Sequence, residues 1–226
     1  MKVYRLPSRI RALAFDMDLT LYTNAEYGRY QIDSMVERLS KLKELSFDEM
    51  NAEVEEARKA WALSHGGNKP SLSNILSIFG IELEEIIRWR EELFAPEKFI
   101  KEDERLKEAL GKLSPHYVLG VVTNNPVLVA RKTLAALGVL EFFPIVVGLD
   151  TCMTPKPHEK PFIEFSALSG CPPETCVSIG DRYDIDLGIP LKMGMGAILV
   201  DGVEDVYELP GVLEEDRELG LGNCPN

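Results

Sequence analysis

An apolar run ending at Phe15 closes on Asp16, and a second aspartate, Asp18, follows two residues later. Carboxylates at the end of a buried strand are costly unless something nearby stabilises the charge. Comparable groups follow other apolar runs: Thr123-Asn124-Asn125, then Lys156 within "TPKPHEKPF", then Gly180-Asp181 with Asp184 and Asp186 close behind. Acids, a hydroxyl and a lysine together suit a phosphate monoester. A phosphate dianion does not approach bare carboxylates, but a hard cation such as Mg²⁺ held by Asp16 and Asp181 removes that objection. Lys156 would add a positive point charge to the same group. Thr123 and the N–H groups entering the helix start at Asn125-Pro126 would hold phosphoryl oxygens. One carboxylate can attack in line to form an acyl phosphate. A second, two residues on, can protonate the leaving oxygen and later activate water.

The elements that must position these residues follow from the hydrophobic pattern. Five short runs rich in β-branched residues read as strands: Ile10–Phe15, Tyr117–Val122, Pro144–Gly148, Cys176–Ile179 and Ala197–Val200. Most lack strict alternation, as parallel strands covered on both faces do. Helical patterns separate them. Val127–Leu137 opens with Asn125 as N-cap and Pro126 at the first helical position, and stops at Gly138. Glu159–Ser169 stops at Gly170, and Ile185–Lys192 is shorter, with Pro190 near its end. This alternation predicts an α/β fold with a doubly wound parallel sheet. In such a sheet the carboxyl ends of the strands face the ligand crevice, where the residues above fall.

Asn24 to Phe99 breaks the alternation. It contains no good strand and reads as helices over Glu26–Leu45, Phe47–Ser64, Ser71–Phe79 and Leu83–Phe94. Ser46 with Glu49 three residues on forms a capping box, and His65–Pro70 is a turn. A helical module is thus expected between the first strand and the rest of the sheet, with the acidic tail after Gly211 frayed at its end.

Four motifs in this order resemble those of the haloacid dehalogenase superfamily of aspartate-nucleophile phosphotransferases, and the resemblance covers nearly the whole chain. D-x-D-x-T-L is matched by Asp16 to Leu21, the strand-ending Ser or Thr by Thr123, the lysine before a helix by Lys156, and G-D followed by Asp by Gly180-Asp181 and Asp186. The resemblance implies a Rossmann-like core, residues 1–22 and 100–226, with an inserted all-α cap, residues 23–99. It implies Asp16 as nucleophile and metal ligand, and Asp18 as general acid/base whose backbone carbonyl binds the metal. Thr123 and Asn124 would bind phosphate, and Lys156 would steady the nucleophile and the phosphoryl charge. Asp181 would be the second carboxylate ligand, supported by Asp186 through water or by pairing with Lys156, with Asp184 competing for that role. Leu19 departs from the pattern, which usually carries Gly or Asn there. "TLY" after the first motif and "KPH" at the third look most like the pyrimidine 5′-nucleotidase-like branch. A dehalogenase would need neither metal nor leaving-group protonation, and Asp18 argues against it. A phosphomutase or a non-catalytic binding protein would share the scaffold.

The remaining bounds are compositional. The chain of 226 residues carries a net charge of −12, which repels nucleic acid and anionic membranes. No apolar run approaches a membrane span, and no signal peptide is apparent. Cys152, Cys171, Cys176 and Cys224 form no CxxC pair, so free thiols in a reducing cytoplasm are expected. His65, His116 and His158 lack metal-ligand spacing, and Trp61 and Trp89 sit in helical patterns that favour packing. Tyr22, Tyr27 and Arg29, just after the first motif, and the turn at His65–Lys69 lie where substrate could pass.

Overall fold

The computed structural model describes residues 1–67 and 70–221; Asn68 and Lys69 of the expected turn, and the last residues of the tail, lie outside them. Elements in chain order are β1 (Lys2–Arg5), β2 (Ala12–Phe15), α1 (Ala25–Lys43), α2 (Phe47–Ser64), α3 (Leu72–Ile78), α4 (Leu83–Leu93), α5 (Glu104–Leu113), β3 (Val118–Val122), α6 (Val127–Ala136), β4 (Ile145–Val147), α7 (Leu149–Cys152), α8 (Lys160–Ser169), β5 (Cys176–Gly180), α9 (Gly188–Lys192), β6 (Gly196–Leu199) and α10 (Val203–Leu221). The strands form a sheet in the order β1-β6-β5-β2-β3-β4. All pairs are parallel except β1 with β6.

The alternating side chains of β2 show how the core forms. Leu13 and Phe15 face a cluster with Leu119, Val121, Ile179 and the apolar sides of α5 and α10. Ala12 and Ala14 face the other side, where Phe162 and Phe165 of α8 pack. Gly120 keeps that side thin, since a Cβ there would sit 2.6 Å from the Phe165 ring. Both faces are therefore covered, which is why the strands read as continuous apolar runs.

The sequence reading differs from the structure in particular places. β1 was not expected: its residues are exposed and carry Lys2 and Arg5, and it pairs only along an edge. Polar side chains on an edge strand are ordinary protection against pairing with other chains. Helices α5 and α10 were also unread, α10 because Pro210 and Gly211 interrupt its pattern. Asn125 is not the cap of α6. Pro126 takes the N-cap position without a side-chain bond, and Asp150 Oδ1 accepts from Val127 N–H at 2.8 Å instead. The expected helix at Ile185–Lys192 begins as a π-turn over Tyr183–Leu187, and Pro190 lies inside α9 rather than ending it.

Helices α1 to α4 bury a cluster of their own around Met35, Leu39, Ile75, Ile86 and Trp89, joined by Val129 of α6. The capping box of α2 is present, with Ser46 N–H donating to Glu49 at 2.9 Å. Asn24 ties the two ends of this helical stretch together. Its Oδ1 caps α1 at Tyr27 N–H, 2.8 Å away, and its Nδ2 donates to the Phe99 carbonyl at 2.9 Å. Cys152, Cys171 and Cys176 are buried free thiols. Among the described residues no helix is long and apolar enough to cross a membrane.

The turn after β2 explains the unusual Leu19. Its φ is +58°, in the left-handed region, and its side chain is 46% exposed. A Cβ there costs roughly 1–2 kcal/mol, and little burial offsets it. Leu19→Asn should therefore raise stability by about 1 kcal/mol. A urea-unfolding midpoint that stays put or falls would show that the turn is not strained.

Candidate active site

The parallel register sets the site. β2 lies between β3 and β5, with Phe15 level with both Val121 and Ile179. The chain leaves β2 toward β3 and β4 and returns on the other side at β5, so β2 is a topological switch point. Asp16 continues the ladder, its N–H donating to Ile179 O at 2.8 Å, and Thr123 does the same to Val147 O at 2.9 Å. Asp16, Thr123 and Asp181 thus leave the sheet along one rim. Thr123 Oγ1 accepts from the Asn125 N–H at 3.1 Å.

Lys156 reaches this rim from the loop after α7 and is 2% exposed. Its Nζ lies 2.7 Å from Asp16 Oδ1 and 2.6 Å from Asp186 Oδ1. Asn124 holds the loop: its Oδ1 accepts from Lys156 N–H at 2.7 Å, and its Nδ2 donates to Lys156 O at 3.2 Å. Both ends of the Asn124 carboxamide are engaged by the lysine's own backbone.

Asp184 and Asp186 have different partners. Asp184 pairs with Arg182 at 2.6 Å. Asp186 is buried against Lys156 and accepts from Arg182 N–H at 3.1 Å, while its carbonyl accepts from the Ser178 hydroxyl at 2.8 Å. Gly180 makes room for it, since a Cβ there would fall 2.5 Å from Asp186 Cβ.

Asp16, Asp181 and Asp186 each offer a carboxylate oxygen within 4.8 Å of the others. Burial, then the charges of Asp16 and Asp186, push Asp181 up to about 7, although Lys156 opposes them. Burial and Asp16 likewise raise Asp186 against the pull of Lys156. For Lys156, burial works to lower the pKa, but Asp16 and Asp186 outweigh it and the ammonium is held. The cluster has more negative charge than one lysine can neutralise. All-carboxylate oxygen donors with an excess of charge fit a hard divalent cation.

The Asp18 side chain is not part of that trio and has partners of its own. Tyr22 Oη donates to its Oδ1, Gln31 Nε2 donates to the same oxygen at 3.1 Å, and Asn125 Nδ2 donates to Oδ2 at 2.7 Å. Burial, then the charge of Asp16, raises its pKa while Tyr22 and Gln31 pull the other way. Tyr22 stood out in the sequence by its place after the motif. Gln31 and Asn125 did not: one looks like an ordinary helix residue and the other like a cap. Of the other residues noted there, Tyr27 is buried against Tyr22 and Phe99, and Arg29 is exposed. His158 Nδ1 accepts from Lys160 N–H at 3.1 Å.

A cleft of about 130 Å³ opens beside Lys156. Trp61, His65, Pro70, Ser71 and Asn74 line it from the helical stretch, and Pro157, Asp184 and Ile185 from the sheet side. The Trp61 and His65 rings stack in parallel, with centroids 3.9 Å apart. Trp61 is therefore a wall of this cleft, whereas Trp89 packs in the helical core as expected.

Fold and site together match one family. Residues 13–200 fit the sequence profile described as haloacid dehalogenase-like hydrolase, and the chain belongs to that family. It is 29% identical over 203 residues to the glyceraldehyde 3-phosphate phosphatase of Methanopyrus kandleri, covering 84% of each chain. It is 35% identical over 118 residues to the phosphoglycolate phosphatase of Salmonella paratyphi A, covering 44% of this chain and 47% of that one. Among solved structures, the HAD phosphatase of Thermococcus onnurineus superposes with a TM-score of 0.60 at 21% identity, over 90% of this chain and 98% of that one. That likeness is one of fold.

The carboxylate cluster generates a linked prediction. Without a cation, Asp181 keeps its proton up to about pH 7, against 3.8 for an ordinary aspartate. Between those values the folded state binds the extra proton, so this site's contribution to stability falls as pH rises. A divalent cation competes with that proton, so it binds more tightly as pH rises through that range. Added Mg²⁺ should therefore raise the thermal unfolding midpoint more at pH 8 than at pH 6. Equal shifts at both pH values would remove Asp181 from the cation site.

Proposed function

We propose that the protein is a Mg²⁺-dependent phosphatase that hydrolyses a small phosphate monoester through an aspartyl-phosphate on Asp16. The observation that carries this reading is the bridge of Lys156 Nζ between Asp16 and Asp186, with Asp18 held separately nearby. Mg²⁺ bound by Asp16, Asp181 and Asp186, and on the family pattern by the Asp18 carbonyl, would polarise the phosphoryl group and screen its charge. Lys156 fixes the rotamer of Asp16 and adds positive charge where the phosphoryl group sits. Asp16 attacks phosphorus in line, the bond to the leaving oxygen breaks, and Asp18 gives that oxygen its proton. Asp18 then takes a proton from water as the water attacks the acyl phosphate, releasing inorganic phosphate and restoring Asp16. Thr123 and the backbone N–H of Asn124 receive the phosphoryl oxygens.

The names of the two curated relatives support phosphate-ester hydrolysis, and both name small leaving groups rather than nucleotides. The cleft agrees in size, since pockets for drug-sized ligands begin near roughly 300 Å³. On this reading residues 23–99 form a cap over a core of residues 1–22 and 100–226. The cap excludes water during reaction, and Trp61, His65 and Asn74 face the leaving group.

Turnover of a panel of small phosphate esters with Mg²⁺ tests the reading. Asp16→Asn should abolish turnover while the unfolding midpoint is kept. Asp18→Asn should slow alkyl phosphates by about 10²- to 10⁴-fold and p-nitrophenyl phosphate much less, because that leaving group needs little protonation. Turnover surviving in Asp16→Asn would mean that the nucleophile lies elsewhere.

A further inference from the structure

Arg90 of α4 takes no part in the chemistry above, yet it is 4% exposed. A guanidinium enclosed to that degree is costly without a carboxylate partner. Its hydrogen bonds go elsewhere. Nη2 donates to Ser73 Oγ at 3.0 Å, within the helical stretch. Nη1 donates to the main-chain carbonyl of Asn124 and, at 3.4 Å, approaches Asn125 Oδ1. Burial lowers its pKa to about 10, partly countered by the charge of Asp18, so it remains a cation at neutral pH.

The two acceptors on the sheet side are what matter. A peptide group is planar, and its C=O and N–H point in opposite directions. Drawing the Asn124 carbonyl toward Arg90 sends the Asn125 N–H the other way, where it meets Thr123 Oγ1. The same reasoning applies to the Asn125 side chain. A carboxamide offers an acceptor on one side and donors on the other, and it can be turned over. A cationic donor at Oδ1 permits only one of the two orientations, the one in which Nδ2 donates to Asp18 Oδ2.

We propose that Arg90 is a positioning residue, which reaches across from α4 to orient both amide groups of Asn125 so that their N–H donors face Thr123 and Asp18. It touches neither the phosphoryl group nor Asp18. It acts through Asn125, and it does so only while α4 is docked against the loop after β3. The buried charge has a use on this view: a cationic donor at Oδ1 disfavours the turned-over carboxamide more strongly than a neutral donor would. The importance of this orientation for turnover rests on the phosphatase reading; the orientation itself does not.

Two readouts separate those dependences. The first needs no activity: the Asn125 side-chain amide resonance in a ¹⁵N–¹H spectrum. In the wild type its protons should be shifted and protected from exchange by the bond to Asp18. In Arg90→Met, which keeps the unbranched apolar stem but not the guanidinium, the shift and protection should collapse. The second readout is kinetic. Arg90→Met should lower kcat by about 10- to 100-fold with a smaller change in KM, and Arg90→Lys should recover part of the loss because it supplies one donor. The unfolding midpoint should hold within a few degrees, since removing a buried charge offsets the lost hydrogen bonds. If Arg90→Met does not fold, Arg90→Lys carries both measurements. A double-mutant cycle with Asn125→Ala should be non-additive in kcat, as it must be if Arg90 works through Asn125. A folded variant with an unchanged Asn125 resonance overturns the proposal, and so does full additivity in the cycle. A wild type without phosphatase activity would overturn the functional reading while leaving the resonance test to decide this one.

Discussion

The site depends on one buried ammonium. Lys156 stands between Asp16 and Asp186, and Asp181 lies close enough to share the cluster. Three carboxylates against one lysine leave an excess of two negative charges when all are ionised. Nothing apolar can relieve that excess, and burial makes it worse. The pKa of Asp181 rises toward neutrality as a result. An arrangement of this kind is unfavourable as a structural device, because an apolar cluster of similar volume is as stable or more so. It becomes favourable when a divalent cation supplies the missing charge, so the cluster reads as a site built for a ligand.

Holding such a cluster together requires a rigid frame, and the sheet supplies it. Asp16 and Thr123 extend the strand ladders by one bond each, so neither backbone can drift from the rim. Lys156 comes from a loop, and loops are mobile unless tied. Asn124 ties it twice through main-chain bonds, which makes one strand end responsible for the position of another segment's lysine. Gly180 and Asp186 show the same economy in space: the missing side chain of one is occupied by the carboxylate of the other. Asn124 and Gly180 carry no charge to the substrate, but the distances at Lys156 follow from them.

How much of this was legible in the sequence follows from the range of each interaction. Asp16, Thr123, Lys156 and Asp181 could be found because each follows an apolar run that ends at the same rim, and strand ends can be read locally. The helix boundaries were readable for a similar reason, as Ser46 and Glu49 show. Asn125 was misread because its role is set by groups 107 and 35 residues away along the chain. A local rule gave it the helix cap, but its side chain is occupied by Asp18 and Arg90, and Asp150 caps the helix from a distant turn. Edge strand β1 was missed because it has one neighbour and exposed side chains, so it lacks the apolar pattern by which buried strands are recognised. Arg90 lies among the charged residues of α4, and no local signal sets it apart; only the docking of α4 against the loop after β3 makes it buried.

The helical stretch then divides into two pairs with different duties. Gln31 on α1 and Arg90 on α4 reach the Asp18 and Asn125 groups directly or through one partner. Trp61 at the end of α2 and Asn74 on α3 line the cleft instead, away from those contacts. In the proposed reaction, the first pair would govern the proton donor and the second the leaving group. The two pairs share a hydrophobic cluster, so packing links them. On the proposed reading, a leaving group that holds α2 and α3 in place would also hold α1 and α4 in place, and with them the partners of Asp18. Substrate fit at the cleft and readiness of the acid would be coupled through packing alone, with no contact between the leaving group and Arg90 or Gln31. On that reading the buried arginine has a physical reason to sit on α4 rather than on the sheet: from the sheet it would orient Asn125 at all times, whereas from α4 it would do so only while the helices are docked.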